Sequence, residues 1–178
     1  MGKETSFKPV KLFSGVIYRE HSEYERIKWV LEEHFSTIDL ESPEIPFDCT
    51  DYYNEEMGSP LFRRFVAFKE LIMPDQLPGI KLLTNRIEDE GAHDGKRSIN
   101  LDPGYLGEAN VILATTKNHY HRIPLKRGIY AHMEYVIYKK KLTPMEWTYP
   151  DYHKPEYIEF FTKLKARYRE DLKTQSPL

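Results

Sequence analysis

The stretch 117–122 contains four basic side chains whose types could carry chemistry: Lys117, His119, His121 and Arg122. Imidazoles exchange protons near neutral pH, and two of them at positions i and i+2 of a strand would point the same way. Lysine and arginine attract anions, and the arginine fork fits a phosphate. The stretch therefore indicates an anion site. A metal chelated by the two histidines and an ordinary solvated edge are the alternatives.

A second polar pattern precedes it, in a predicted strand over 97–102. Asn100 and Asp102 alternate with apolar residues, so both would lie on one face of that strand. Asp102 could serve there as a general base or a metal ligand. The run Asp-Pro-Gly is equally typical of a type II turn, in which Asp102 would only accept turn hydrogen bonds. The predicted catalytic residues are Asp102 and His121, and the predicted ligand-binding residues are Arg97, Asn100, Lys117, His119 and Arg122.

An acidic and aromatic segment over 47–58 offers candidate metal ligands. Asp48 and Asp51 could bring carboxylates to a divalent cation that bridges a phosphate, since such cations prefer oxygen ligands. A solvated acidic loop is the alternative. The sequence therefore does not identify a cofactor, and a divalent metal is the candidate. Cys49 is the only cysteine, which excludes an internal disulfide and fits a reducing compartment.

The composition of the chain limits its expected partners and location. The 178 residues carry a formal charge of -2, so a nucleic-acid partner would need a local basic patch. No apolar run approaches the ~18 residues of a membrane-spanning helix. The first ten residues lack the apolar core of a signal peptide. We therefore expect a cytoplasmic protein with no membrane partner, and the oligomeric state is left open.

The spacing of apolar residues, together with the prolines and glycines that end helices and strands, predicts the elements that must position these side chains. The predicted strands are 11–18, 37–40, 61–71, 97–102, 110–125 and 129–138, and the predicted helices are 22–34, 74–90 and one opening at 155. This order favours an α+β fold, with a mixed or antiparallel sheet and helices packed mainly on one face. We expect a disordered N-terminus over 1–9, one domain over 10–173 and a frayed tail over 174–178. Arg63 and Arg64 would lie on opposite strand faces, so at most one can serve the site.

Five ordered motifs carry a resemblance to a known family. They are Phe47-Asp48-Cys49-Thr50-Asp51-Tyr52-Tyr53, Asn100 to Leu106 (NLDPGYL), His121-Arg122-Ile123, Gly128-Ile129-Tyr130-Ala131 and Trp147 to Tyr152 (WTYPDY). With them the chain resembles a bacterial family of unknown function whose members are sometimes labelled GTP-binding proteins. The resemblance extends roughly from Pro9 to Arg169 and implies no assigned chemistry. In the family pattern a Glu stands where this chain has His132, and an aromatic residue where it has Pro124.

The residues themselves do not support the GTP label. A P-loop reads G-x-x-x-x-G-K-[ST] after a strand, so that backbone N–H groups can cradle phosphates. The nearest run, 91–97, is one residue short, ends in Arg97 and follows a predicted helix. A base-reading NKxD-type segment is also missing from the sequence. We therefore expect no preference for guanine over adenine.

Two functions from different classes remain. The first is binding of a phosphorylated small molecule or nucleotide, with a metal-assisted hydrolase or transferase as its enzymatic form. The alternative is a non-catalytic RNA-binding module that uses the basic strand and exposed tyrosines, Tyr52, Tyr53, Tyr105 and Tyr120, as stacking platforms. A structural partner protein with a vestigial site is a third possibility. A pocket with carboxylates facing the basic strand would favour the first function, and a broad basic face without a pocket would favour the second.

Overall fold

Nine antiparallel strands form one sheet in the computed structural model, which describes residues 2–175. The strands are β1 Val10–Tyr18, β2 Ile38–Glu41, β3 Ile45–Pro46, β4 Phe62–Ile72, β5 Ile99–Leu106, β6 Asn110–Thr115, β7 Ile123–Pro124, β8 Tyr130–Tyr138 and β9 Lys141–Pro144. Their order across the sheet is β2-β4-β1-β5-β6-β8-β7, and β3 and β9 pair with β4 and β8. The predicted α+β class with an antiparallel sheet is confirmed.

Helices cover both faces of this sheet. They are α1 His21–His34, α2 Asn54–Met57, α3 Leu77–Glu90 and α4 Pro155–Gln175. Apolar residues of α1 and α3 pack in one cluster with β1, β4 and β5. Those of α4 pack on the opposite face, where Phe161 meets Phe13 of β1 edge to face. Two of the three long helices therefore share a face, as predicted, and α4 is the exception.

Strand β1 shows how the sequence builds these two layers. Its nine residues are all buried, because it runs through the middle of the sheet between β4 and β5. Leu12 and Val16 point to α1 and α3, whereas Phe13 points to α4. A nearly continuous apolar strand, interrupted here by the buried Lys11 and Ser14, is typical of a sheet that is covered on both faces.

The sheet forks between β5 and β6. The two strands pair only over Gly104–Leu106 and Val111–Leu113, next to the turn that joins them. Beyond that point β5 stays paired with β1 along its whole length, and β6 stays paired with β8. The diverging strands leave a gap within the sheet, and the site described below lies in it.

Three sequence predictions about local structure are wrong or fall partly outside the description. The run Asp102-Pro103-Gly104 forms no turn, because it stays in β5 and pairs with β1. The predicted strand 110–125 ends at Thr115, and 116–122 is a loop. Helix α4 continues through Gln175, so the predicted frayed tail is helical at 174–175, and 176–178 lie outside the described residues. Residues 2–9 have no regular secondary structure.

Within residues 2–175, none of the helices has the length and apolar character needed to cross a membrane.

Candidate functional site

A cleft of about 770 Å³ occupies the fork between β5 and β6. Side chains of both strands line it, together with α3, the segment 47–53 and the segment 149–152 that leads into α4. The volume lies in the range of small-molecule sites in proteins, roughly 300–1,000 Å³. The cleft is therefore large enough for a ligand of nucleotide size.

Two side chains of α3 hold the fork open. The Leu101 N–H donates to Glu88 Oε1 over 2.7 Å, and the Leu101 carbonyl oxygen accepts from Lys81 Nζ over 2.7 Å. In a continuous sheet these two backbone groups would bond to β6. A buried backbone group without a partner is costly, and the two side chains replace the missing strand.

A buried arginine connects β4, β5 and the segment 149–152 at one end of the cleft, which we call the inner end. Arg63 of β4 donates to Asp151 Oδ2 over 2.6 Å and to Asp102 Oδ2 over 2.9 Å. Its guanidinium also lies 4.7 Å from the ring centroid of Phe47. One arginine therefore faces two carboxylates, and its charge is compensated. Arg64, on the other strand face, pairs with Glu41 outside the cleft.

Arg97 is held by carboxylates at the rim. It makes a bidentate contact with Glu56 of α2, over 2.7 and 2.8 Å, and a further contact with Glu88 over 2.5 Å. The same guanidinium donates to Asn100 Oδ1 over 3.3 Å. Arg97 thus holds α2 against the rim of the cleft. The charge of Arg97 is compensated by Glu56 and Glu88 without a ligand.

Four residues that line the cleft each have one side-chain atom without a hydrogen-bond partner among residues 2–175. They are Asn100 at Nδ2, Arg63 at Nε, His132 at Nε2 and Tyr152 at its hydroxyl. Each of these atoms is itself buried, so it lies behind the wall of the cleft and is not open to a ligand there.

Lys117 lines the cleft, and its charge is not paired within residues 2–175. Its Nζ lies 4.1 Å from the ring centroid of Tyr52, a cation–π contact, and no carboxylate of residues 2–175 pairs with it. Lys81, by comparison, is occupied by the Leu101 carbonyl oxygen. Lys117 therefore offers an ammonium group to a ligand in the cleft.

The histidines lie beside the cleft in a chain of close contacts. His119 Nδ1 is 2.9 Å from His121 Nδ1, and His121 Nε2 is 3.0 Å from His132 Nδ1. The His121 ring stacks on Trp147, with centroids 4.9 Å apart. Of these imidazoles, only that of His132 lines the cleft. Burial, and then electrostatic repulsion from the neighbouring His132, His119 and Arg122, lower the pKa of His121.

Arg122 fixes the loop 116–122 in place. It donates to His132 Nδ1 over 3.1 Å, to the Lys117 carbonyl oxygen over 2.8 Å and to the Tyr149 hydroxyl over 2.7 Å. Since Arg122 always carries its Nε proton, His132 Nδ1 is an acceptor and the neutral ring is protonated at Nε2. The role of Arg122 in this structure is to position the loop that bears Lys117.

His132 faces a second buried titratable group. Its Nε2 lies 3.1 Å from Glu134 Oε1, but neither atom makes a well-aligned hydrogen bond. Burial, and then the charge of Arg122, lower the pKa of His132 to about 4. Burial raises the pKa of Glu134 to about 8. At neutral pH both side chains are mainly uncharged, which avoids isolated charges inside the protein.

The predicted metal residues lie in other contacts. Asp48 pairs with Lys154 over 2.6 Å, and Asp51 accepts from the Asn54 side chain over 2.8 Å. Neither lines the cleft, although their neighbours Cys49 and Thr50 do. In the part of the chain that the structure describes, no group of three or more His, Cys, Asp or Glu side chains is arranged around a common metal position.

The structure thus divides the predicted site residues into two groups. Arg97, Asn100, Asp102 and Lys117 line the cleft, whereas Asp48, Asp51, His119, His121 and Arg122 do not. His119 and His121 point together as the i, i+2 argument expects, but from a loop. The predicted catalytic, ligand-binding and metal residues did not include Tyr149, Asp151, Tyr152 and His132, which also line the cleft. For His132 the sequence does carry a signal, because His132 and Glu134 alternate with apolar residues in β8.

Comparison with known proteins gives a family without an assigned activity. Residues 8–168 match a family described as a domain of unknown function, DUF4416. No curated protein and no solved structure matches the chain significantly. The match confirms the resemblance to a family of unknown function.

Proposed function

We propose that this chain, which belongs to the DUF4416 family of domains of unknown function, is a cytoplasmic protein that binds a phosphorylated small molecule or nucleotide in the cleft between β5 and β6. The observation that carries the proposal is Lys117. Its ammonium group lines the cleft without a carboxylate partner among residues 2–175. A phosphate would supply that missing charge.

The other charges around the cleft support this choice. Arg97 is neutralised by Glu56 and Glu88, and Arg63 by two aspartates. A phosphate bound near either arginine would have to displace a carboxylate, whereas at Lys117 it would not. The aromatic ring of Tyr52 beneath the ammonium adds a flat apolar surface for the rest of the ligand.

An enzymatic form of the proposal assigns the base to Asp102. In the described chain, its carboxylate is engaged only through Oδ2, by Arg63, and the residue lines the cleft. A free carboxylate oxygen at that position can accept the proton of a water molecule or of a substrate hydroxyl. This is the step that a hydrolase or a transferase of phosphorylated molecules requires. The predicted catalytic role of His121 is not retained, because its ring lies outside the lining.

Calorimetric titration tests the binding proposal. The wild type is titrated with AMP, GMP and inorganic phosphate, and the same is done for Lys117→Gln and for Lys126→Gln, an exposed lysine in the turn before β8. We expect AMP and GMP to bind without a guanine preference, and Lys117→Gln alone to weaken binding by about tenfold, since one charge-assisted contact is lost. Equal losses in both variants, or no heat with any phosphorylated compound, would overturn the proposal.

Single-stranded RNA is the remaining ligand class. Tyr52 and Tyr120 are 63% and 80% exposed, as stacking platforms require, but Tyr120 lies outside the cleft lining. The same titration with a short oligoribonucleotide separates the two classes. Binding much tighter than that of AMP, with a steep loss at higher salt, would replace the small-molecule proposal with RNA binding.

A further inference from the structure

Strand β7 and the two turns that flank it expose three apolar side chains; we call residues 119–127 the β7 surface. Tyr120 lies in the hydrogen-bonded turn 119–122 and is 80% exposed. Ile123 of β7 and the following Leu125 are 61% and 43% exposed. Single exposed apolar residues are ordinary on soluble proteins, but several of them close together indicate a surface that contacts a partner.

The side chain of Ile123 extends an apolar face of the sheet. Ile123 pairs with Ala131 of β8, and residues directly opposite in neighbouring strands place their side chains on the same face. Ala131 and Met133 are half-buried and pack in one cluster with Ile112 of β6 and with apolar residues of α3. The face is thus covered by α3 near β6 and open to solvent at β7, the outer strand of the sheet.

The β7 surface is also positively charged. Lys126 and Arg127 are exposed in the turn before β8, and neither is paired with a carboxylate of residues 2–175. The stretch 109–133 contains four lysine and arginine residues and no aspartate or glutamate, although the whole chain has a formal charge of -2. The exposed apolar side chains therefore lie beside cations that attract an anionic partner.

The backbone and the charge of the β7 surface disfavour a protein partner. The Leu125 N–H donates inward to the Ile129 carbonyl oxygen, so the preceding residue, Pro124, faces outward from the sheet. Proline has no N–H, and a strand added to this edge would lack that hydrogen bond. A second copy of this chain, docked through the same surface, would bring like charges together.

RNA and anionic phospholipids both carry phosphates, and the side chains of the β7 surface separate them. RNA bases stack on aromatic side chains, and Tyr120 is the only Tyr, Phe or Trp of residues 119–127. Ile123 and Leu125 cannot stack on bases, but aliphatic side chains gain free energy at the boundary between lipid headgroups and acyl chains. Tyrosine lies at the headgroup level of that boundary, and lysine and arginine attract anionic lipids.

We infer that the β7 surface docks this protein reversibly on membranes that contain anionic phospholipids. Ile123 and Leu125 enter the interface, Tyr120 lies among the headgroups, and Lys126 and Arg127 contact lipid phosphates. The sequence led us to expect no membrane partner, because spanning segments and signal peptides are long apolar runs. A peripheral contact needs only a few exposed side chains, which the fold brings together. The inference does not depend on the ligand of the cleft.

Vesicle co-sedimentation of the full chain tests this inference. The wild type is mixed with vesicles of phosphatidylcholine alone, and with vesicles of phosphatidylcholine and phosphatidylglycerol in equal parts. We expect binding to the anionic vesicles to be at least about tenfold stronger, since each cation near the surface contributes about fivefold. High salt should weaken this binding, because ions screen the attraction. Equal binding to both kinds of vesicle, or no binding to either, would overturn the inference.

Two double variants assign the contact to the β7 surface. Ile123→Ser with Leu125→Ser should weaken binding to the anionic vesicles by at least about tenfold, because the aliphatic side chains no longer enter the interface. Lys126→Gln with Arg127→Gln should remove most of the preference for anionic lipid. All four positions are exposed, so we expect wild-type melting temperatures. Wild-type vesicle binding by either folded variant would overturn the inference.

Matched controls lie elsewhere on the molecule. Ile158 of α4 and Lys69 of β4 are exposed, and β4 lies on the other side of the sheet from β7. Ile158→Ser and Lys69→Gln should bind the anionic vesicles like the wild type. Losses in these controls as large as those in the two double variants would contradict docking through the β7 surface.

The other partners give different results. Binding of a short oligoribonucleotide that is lost in the Lys126 and Arg127 variant, without vesicle binding, would assign the surface to RNA. A dimer in sedimentation velocity that disappears in the Ile123 and Leu125 variant, again without vesicle binding, would assign it to a second copy. Either result would overturn membrane docking.

Discussion

The carboxylate of Glu88 accepts a hydrogen bond from the backbone N–H of Leu101 over 2.7 Å, at the point where β5 leaves β6. A helix side chain thereby takes the position of a strand partner. The contact is buried on both sides, since Glu88 is 3% and Leu101 0% exposed. The cleft can exist because side chains of α3 make the hydrogen bonds that the Leu101 backbone does not make with β6.

Glu88→Ala should lower the free energy of unfolding by about 1–3 kcal/mol, because it leaves the Leu101 N–H buried and unpaired. Urea denaturation measures the loss, and hydrogen exchange should show faster exchange of the Leu101 amide. Glu90→Ala, at an exposed position of the same helix, is the matched control and should change stability by less than about 0.5 kcal/mol. Unchanged exchange at Leu101 in Glu88→Ala would contradict this view of the fork.

Gly104 is the residue at which β5 and β6 still touch. A Cβ atom there would lie 2.7 Å from Phe13 Cζ and closer still to the Ile112 carbonyl oxygen. Gly104→Ala should therefore destabilise the protein, by roughly 1–3 kcal/mol as an overpacked core position. Gly79→Ala, in α3 with no atom within 4 Å of the added carbon, should instead stabilise it by up to about 1 kcal/mol. Thermal unfolding of the two variants should show opposite signs, and two shifts of the same sign would refute the argument.

Helix α4 stabilises the fold through its aromatic stripe. Phe161 is 0% exposed and contacts the rings of Phe13 and Phe65. Phe161→Ala should cost about 3–5 kcal/mol of unfolding free energy, which combines the lost burial and the cavity left behind. The exposed Ile158 of the same helix provides the control variant Ile158→Ala. If both variants had the same urea midpoint, α4 would not contribute to the core as described.

The buried pair His132 and Glu134 makes stability depend on pH. Glu134 keeps its proton up to about pH 8 in the folded state, whereas its ordinary pKa is 4.5. The folded protein therefore loses stability as the pH rises from 4.5 to about 8. His132 is depressed from 6.5 to about 4, so its contribution grows as pH rises from 4 to 6.5. The two slopes oppose each other below 6.5, and only the Glu134 loss remains above it.

We therefore expect the free energy of unfolding to fall between pH 6.5 and 8 by at most about 1.4 kcal/mol per pH unit, the limit for one proton. Glu134→Gln, which imitates the uncharged form, should flatten the profile in this window, whereas the exposed Glu146→Gln should not. Urea titrations at several pH values provide the profile. The same slope in the wild type and in Glu134→Gln would show that Glu134 does not titrate there.

Much of the fold follows from local patterns in the chain. The buried strand β1, the stripe of α4 and the opposite orientations of Arg63 and Arg64 were predictable, because strand and helix periods decide which residues share a face. The Asp102-Pro103-Gly104 run was not. Its turn propensity is overridden by the pairing of β5 with β1 and by the close approach of Gly104 to β6.

The site was only half predictable. Asn100 and Asp102 share a face as the alternation implied, and Lys117 reaches the cleft from a loop instead of the expected strand. The contact of Arg63 with Asp151 joins positions 88 residues apart, so no local pattern could indicate it. The fork itself depends on side chains of α3 that bond to the backbone of β5. Such long-range contacts decide which polar residues meet.

The most direct test of the account locates the bound ligand. Protein labelled with ¹⁵N is titrated with AMP, and the shift of each backbone amide is followed by NMR. We predict the largest saturable shifts at Asn100, Asp102 and Lys117, on the two sides of the fork. Shifts confined to residues away from the cleft, such as the exposed surfaces of α1 and α4, or no saturable shift at any amide, would contradict the claim that the cleft is the binding site.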